Sequence, residues 1–179
     1  MSELTPMQRE AWQKTIDVLG LPVSAGSASV VITGSAGCFS SKPERNSLAV
    51  AHPVKLASIE QARLLVSGRT DAPEQGGAVP EINNAEELRL RRALFSHVVG
   101  REIEAVGYDD LLTRRFFPLP ITVYTGKTIV IKKGEVLTIE PDGHDPVVVN
   151  YESVTLEQGG QIRCEAPVLF IVQKFIKKK

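Results

Sequence analysis

Cysteine, histidine and aromatic residues are scarce in this chain of 179 residues: two Cys, three His and 6% aromatics. Each shortage excludes a class of chemistry. Cys38 and Cys164 lie far apart and lack the neighbouring His or Cys that a zinc-type centre needs. His52, His97 and His144 are scattered, with no His-x-His and no His-Glu-x-x-His. Net charge is missing as well. Lys and Arg number 21, Asp and Glu 21, and the formal charge is +0. No global field therefore draws the chain to nucleic acid or an anionic membrane, and balanced charge lowers the barrier to self-association. No apolar run reaches the roughly 20 residues of a membrane-spanning helix. The segment Met1-Ser2-Glu3-Leu4-Thr5 carries neither the basic nor the apolar region of a secretory signal. The expected setting is the cytoplasm, with buried thiols, leaving signal-free export open.

Reactive motifs are equally thin. Val30-Val31-Ile32-Thr33-Gly34-Ser35-Ala36-Gly37 looks like a strand entering a phosphate-binding loop. A P-loop needs Gly-Lys-Ser/Thr after its first glycine, and here Lys42 follows Ser41. No Gly-x-Ser-x-Gly elbow is present. Asp109-Asp110 read as helix-end charges. Arg89, Arg91, Arg92, Arg101, Arg114 and Arg115 interleave with Glu86, Glu87, Glu102 and Glu104, the pattern of a solvated, ion-paired face. The expectation is no enzyme, no catalytic residue, no metal, no cofactor and no nucleic-acid partner.

What the chain does have is a repeat. Lys127–Gly134 returns as Glu152–Gly159, an offset of 25 that carries Leu137 onto Ile162, Ile139 onto Cys164 and Glu140 onto Glu165. Both copies read strand, glycine turn, strand, with apolar residues at alternate positions. Strands are predicted at 121–125, 128–132, 136–139, 147–150, 153–157, 161–164 and 168–175. Cys164 occupies an inward position of its copy and is expected to pack as a small hydrophobe.

Helices come earlier. Thr5, Pro6 and Gln8 form a capping box with proline at the first helical position, and Gly20 closes the helix. Its apolar stripe is Met7, Ala11, Ile16 and Leu19, with Trp12 at the edge. Ser58 with Gln61, and Asn84 with Glu87, open two further helices by the same logic. The fold class expected is α+β, with N-terminal helices followed by a C-terminal antiparallel β-sandwich or jelly-roll-like module; a short β-solenoid is the alternative. Two repeat copies are few for a free-standing stack, which favours the sandwich. Residues 1–117 form the helical and mixed region, with short strands and a loop at 69–83, and residues 118–179 the all-β module.

Pro167–Val172 is a continuous apolar run followed by a lysine-rich end. Such a strand is covered on both faces, by its own domain or by another subunit. The functional expectation is a structural, self-associating protein, a homo-oligomer whose interface uses Phe170, Val172 and Phe175 with Trp12 as aromatic anchor. The alternative is a β-module for a small ligand or glycan, a toxin or effector component, with Tyr108, Tyr124 and Tyr151 as stacking surfaces.

Overall fold

The computed structural model describes residues 4–33, 37–41, 49–67, 94, 109–140, 146–165 and 168–178. The chain divides into two compact units, residues 1–54 with 121–179, and residues 55–120. The first unit holds both the N-terminal segment and the C-terminal strands.

The first unit is a stack of rungs. Strands β1 (Ser29–Ile32) and β2 (Gly37–Ser40) form the first rung. Strands β4 (Leu119–Ile131) and β5 (Val136–Glu140) form the second, and β6 (Val147–Leu156) with β7 (Gln161–Cys164) the third. Strand β8 (Val168–Lys177) begins a fourth rung. One sheet runs β1-β4-β6-β8, with β3 (Ala51–Leu56) also paired to β4; the other runs β2-β5-β7. The pairs β1–β4, β4–β6, β6–β8, β2–β5 and β5–β7 are all parallel. This overturns the expected antiparallel sandwich.

The physical reason lies in the repeat itself. Ile129 pairs with Val154 and Leu137 with Ile162, each 25 positions on. The duplicated unit is therefore one turn of the stack, laid in register on its copy. Repeat counting failed because two further layers do not share the period. Ser29 pairs with Thr128, 99 positions away, and Val147 pairs with Val168, 21 positions away. The seven strands expected between 121 and 175 also merge. Residues 121–125 and 128–132 lie in one strand, as do 147–150 and 153–157. Pairing skips Lys127, Glu152 and Gln173, where inward-facing positions shift by one residue.

Gly126 lies inside β4, between the segments 121–125 and 128–132. A Cβ there would run into the Ala28 carbonyl and lie 2.6 Å from Tyr151 Cε1. The backbone of β1 and the Tyr151 ring occupy the space a side chain would need. True turns sit at Gly134 and Gly159, both at φ 74°, one above the other in successive rungs.

Helix α1 (Pro6–Val18) begins as the capping box dictates. The Thr5 hydroxyl accepts from the Gln8 amide and the Gln8 side chain accepts from the Thr5 amide. Gly20 (φ 65°) ends it. The helix contacts β6 and β8. Its inward stripe differs from the one expected: Trp12, Ile16 and Leu19 are buried, while Met7 is 76% exposed and Ala11 faces solvent. Trp12 and Ile16 close over Gly26, which has no room for a Cβ. In the second unit α2 (Ile59–Ser67) starts where Ser58 caps the Gln61 amide at 3.3 Å, and α3 (Asp109–Phe116) contacts α2. The helix expected from Asn84 and the loop at 69–83 lie outside the described residues.

Replacing Gly126 by alanine is expected to destabilise the protein by about 1–3 kcal/mol, the usual penalty for overpacking a filled site. Equilibrium urea unfolding measures it.

Candidate functional site

The core between the two sheets is built as columns. One runs Val30, Ile129, Val154, Phe175; a second Ile32, Ile131, Leu156, Lys177; a third Phe39, Ile139, Cys164. Exposure along each column changes at one end alone. Val30 is 3% exposed, Ile129 and Val154 0%, and Phe175 57%. Phe39 and Ile139 are 0% exposed, whereas Cys164 faces solvent. The first rung is thus covered and the last rung is open.

That open end collects three of the four residues expected at an interface. Phe170 lies on Val149, Val172 on Tyr151 and Phe175 on Val154. Phe170 and Val172 are half-buried and pack against the core cluster. The fourth, Trp12, is buried against its own chain and does not present its ring there. Cys164 was expected to pack as a hydrophobe. It holds the inward register, but no rung among the described residues follows to cover it. The sequence signal for its exposure is its place on the last strand of its sheet, which the parallel order alone reveals.

Charge marks the rim. Lys132, Glu157 and Lys178 occupy one position in three successive layers, with Glu157 Oε1 3.2 Å from Lys132 Nζ and 3.8 Å from Lys178 Nζ. The hydrogen bond from Lys132 and the two cations hold the Glu157 carboxyl below its ordinary pKa. Gln173, at the break in the ladder, accepts a 3.1 Å bond from Gln8 Nε2. This side chain ties the start of α1 to the last strand.

The tyrosines serve the interior. Tyr124 and Tyr151 are 0% exposed and so offer no stacking surface to a glycan. Tyr124 stacks on Phe39 at 4.3 Å between ring centroids. Its hydroxyl donates to the Ser40 carbonyl at 2.6 Å and accepts from the Ser40 amide at 3.0 Å. The Tyr151 hydroxyl has no hydrogen-bond partner among the described residues, and burial raises its pKa. Tyr108, His97 and His144 lie outside the described residues, as do Arg89, Arg91, Arg92 and Arg101. His52 is half-buried in β3, where desolvation lowers its pKa. Among the described residues no group of three His, Cys, Asp or Glu side chains could hold a metal ion. No helix among them is long and apolar enough to cross a membrane.

No family model, curated protein or solved structure matches this chain. The geometry of the open end therefore carries the functional argument.

Two measurements probe these contacts. Tyr124→Phe is expected to cost about 1–3 kcal/mol through the lost buried hydrogen bonds, and Tyr151→Phe to cost nothing or to stabilise; thermal melts of the pair compare them. The Glu157 carboxyl has a depressed pKa in the folded state, so its contribution is present above the unfolded carboxylate pKa and is lost as pH falls through the folded value. The stability difference between wild type and Glu157→Gln should accordingly vanish in acid, as read by melts between neutral pH and the carboxylate range.

Proposed function

We propose that this chain is a non-enzymatic interaction protein that self-associates through the open end of its rung stack. One observation carries the reading. An apolar column buried through three layers reaches Phe175 on β8, one buried through two reaches Cys164 on β7, and both stop there in solvent. Partly buried apolar surface is stabilised by roughly 25 cal/mol for each Å² removed from water. A covering partner gains that term from Phe170, Val172 and Phe175 together. The edges of β7 and β8 add backbone groups able to pair, since no strand among the described residues lies beyond them. Lys177 and Lys178 on the same edge restrain indiscriminate pairing, as charged residues on sheet edges do. A cytoplasmic setting belongs to this reading and rests on the low cysteine usage.

Sedimentation of the purified full chain tests it. The weight-average mass should exceed that of the monomer at micromolar concentration. Val172→Lys should return the chain to monomer with its melting behaviour retained, because Val172 is only half-buried. A strict monomer at high concentration would remove the reading.

A further inference from the structure

We infer that the open edge of β7 is a strand slot for an extended segment of another protein, one carrying a carboxylate two positions before an apolar residue. The inference goes beyond self-association and does not depend on it. The two sheets hold unequal numbers of layers. One runs β1-β4-β6-β8 and the other β2-β5-β7, so among the described strands none is laid on β7 to match β8. The Gln161 and Glu165 amides donate back to the Glu135 and Ile139 carbonyls of the layer before. Backbone groups alternate in direction along a strand, so those of Ile162 and Cys164 point out of the free edge. An extended segment added to such an edge gains main-chain hydrogen bonds, and its alternate side chains decide which segment fits.

Register states what the slot demands. Ile162 continues the column of Gly37 and Leu137, and Lys177 that of Ile32, Ile131 and Leu156. These two columns face each other, because the Ile32 side chain fills the space a Cβ on Gly37 would need. A residue laid on Ile162 therefore looks across at Lys177. One inward step further from the turn, a residue laid on Cys164 looks across at Phe175, which is 57% exposed. Lys177 has no ion-pair partner among the described residues. Covering it without an anion would strip water from the ammonium, so the first position calls for a carboxylate. The second calls for an apolar side chain, which gains by covering Phe175. A segment parallel to β7, as β7 is to β5, meets Lys177 first and Phe175 second. The order along the occupant is thus acid-x-apolar. A second copy does not offer it from its edges: β1, β2, β3, β7 and β8 contain no Asp or Glu. Phe170 and Val172, in the first half of β8, lie outside the slot and belong to the self-associating surface.

Disulfide tethering at Cys164 on the full chain is the test. Two end-blocked peptides of equal composition, Thr-Glu-Thr-Cys-Thr and Thr-Cys-Thr-Glu-Thr, are offered in separate titrations as mixed disulfides with mercaptoethanol, in excess mercaptoethanol. The Cys164 thiolate displaces mercaptoethanol, and mass spectrometry reads the occupancy of Cys164 with Cys38 as reference. Wild type should hold the peptide with Glu first about tenfold more tightly, as for a close charge pair across an interface. Lys177→Gln should abolish the difference. Lys177 is exposed at the end of β8, so an unchanged melt shows that the variant is folded. Equal occupancy by both peptides in wild type, or a preference that survives Lys177→Gln, would overturn the slot. Occupancy that falls as the chain is concentrated into the range of self-association would give the slot to a second copy and overturn the foreign occupant. A strict monomer that keeps the preference supports the slot and defeats only the reading of self-association.

Discussion

In-register parallel pairing of equivalent strands is the constraint on which the rest of this unit depends. Once Ile129 is laid on Val154, and Leu137 on Ile162, every other inward residue is fixed by the pleat. Columns form because the period of a strand is two and the offset between layers is constant along it. The rim ladder of Lys132, Glu157 and Lys178 follows from the same register, since a residue just outside a strand is carried up with it. So does the stacking of Gly134 under Gly159: a left-handed backbone turn repeats wherever the strands it joins repeat. A one-residue slip would turn each column to the outside and separate the rim charges. Register and core are therefore a single property here.

The same constraint creates the open end. A layer is covered by the next layer, and the final layer has no successor. The first rung shows that covering is achievable within one chain, because Val30, Ile32 and Phe39 are buried although β1 and β2 are terminal strands. Ala49 and Ala51 are among the residues that pack on this core cluster. At the other end α1 reaches β8 and secures Gln173, but Phe175 stays more than half exposed. The helix supports the last strand without closing its column.

Much of the local structure was legible in the residues. The capping box at Thr5, the closing Gly20, the serine cap at Ser58 and the alternation through 128–139 each rest on chemistry within a few positions. What the alternation could not convey was strand direction. Inward residues repeat every second position in parallel and antiparallel pairs alike. Ranking the sandwich first turned on counting two copies, and the first rung escaped the count because four-residue strands separated by 99 positions from their partners leave no periodic trace. Gly126 sits inside β4, where the absence of a side chain admits the Ala28 carbonyl and the Tyr151 ring. The helix stripe was placed one step away from the buried one. Ala11 and Trp12 are adjacent, and only packing against β6 and β8 decides which of them turns inward. At the candidate site Phe170 and Val172 were readable from a continuous apolar run, and Phe175 from the same predicted strand. The exposure of Cys164 and the inward register of Lys177 depend on long-range order that no local pattern encodes.

Lysine at the top of an apolar column deserves a physical interpretation beyond solubility. If the end served only as a terminus, any polar residue would blunt it, and charge on the outward positions would suffice. Lys177 instead follows Leu156 in the inward register, where a covering layer would have to accommodate it. An inward charge rejects every covering strand that lacks a carboxylate at the matching position, because the uncompensated ammonium would lose its water. It thereby converts a general apolar attraction into a selective one. Rejection of this kind rests on one cation, whereas the apolar area at the same end lies in Phe170, Val172 and Phe175. Apolar burial alone is indifferent to direction, so an end built solely from those three side chains would impose no orientation on a covering strand.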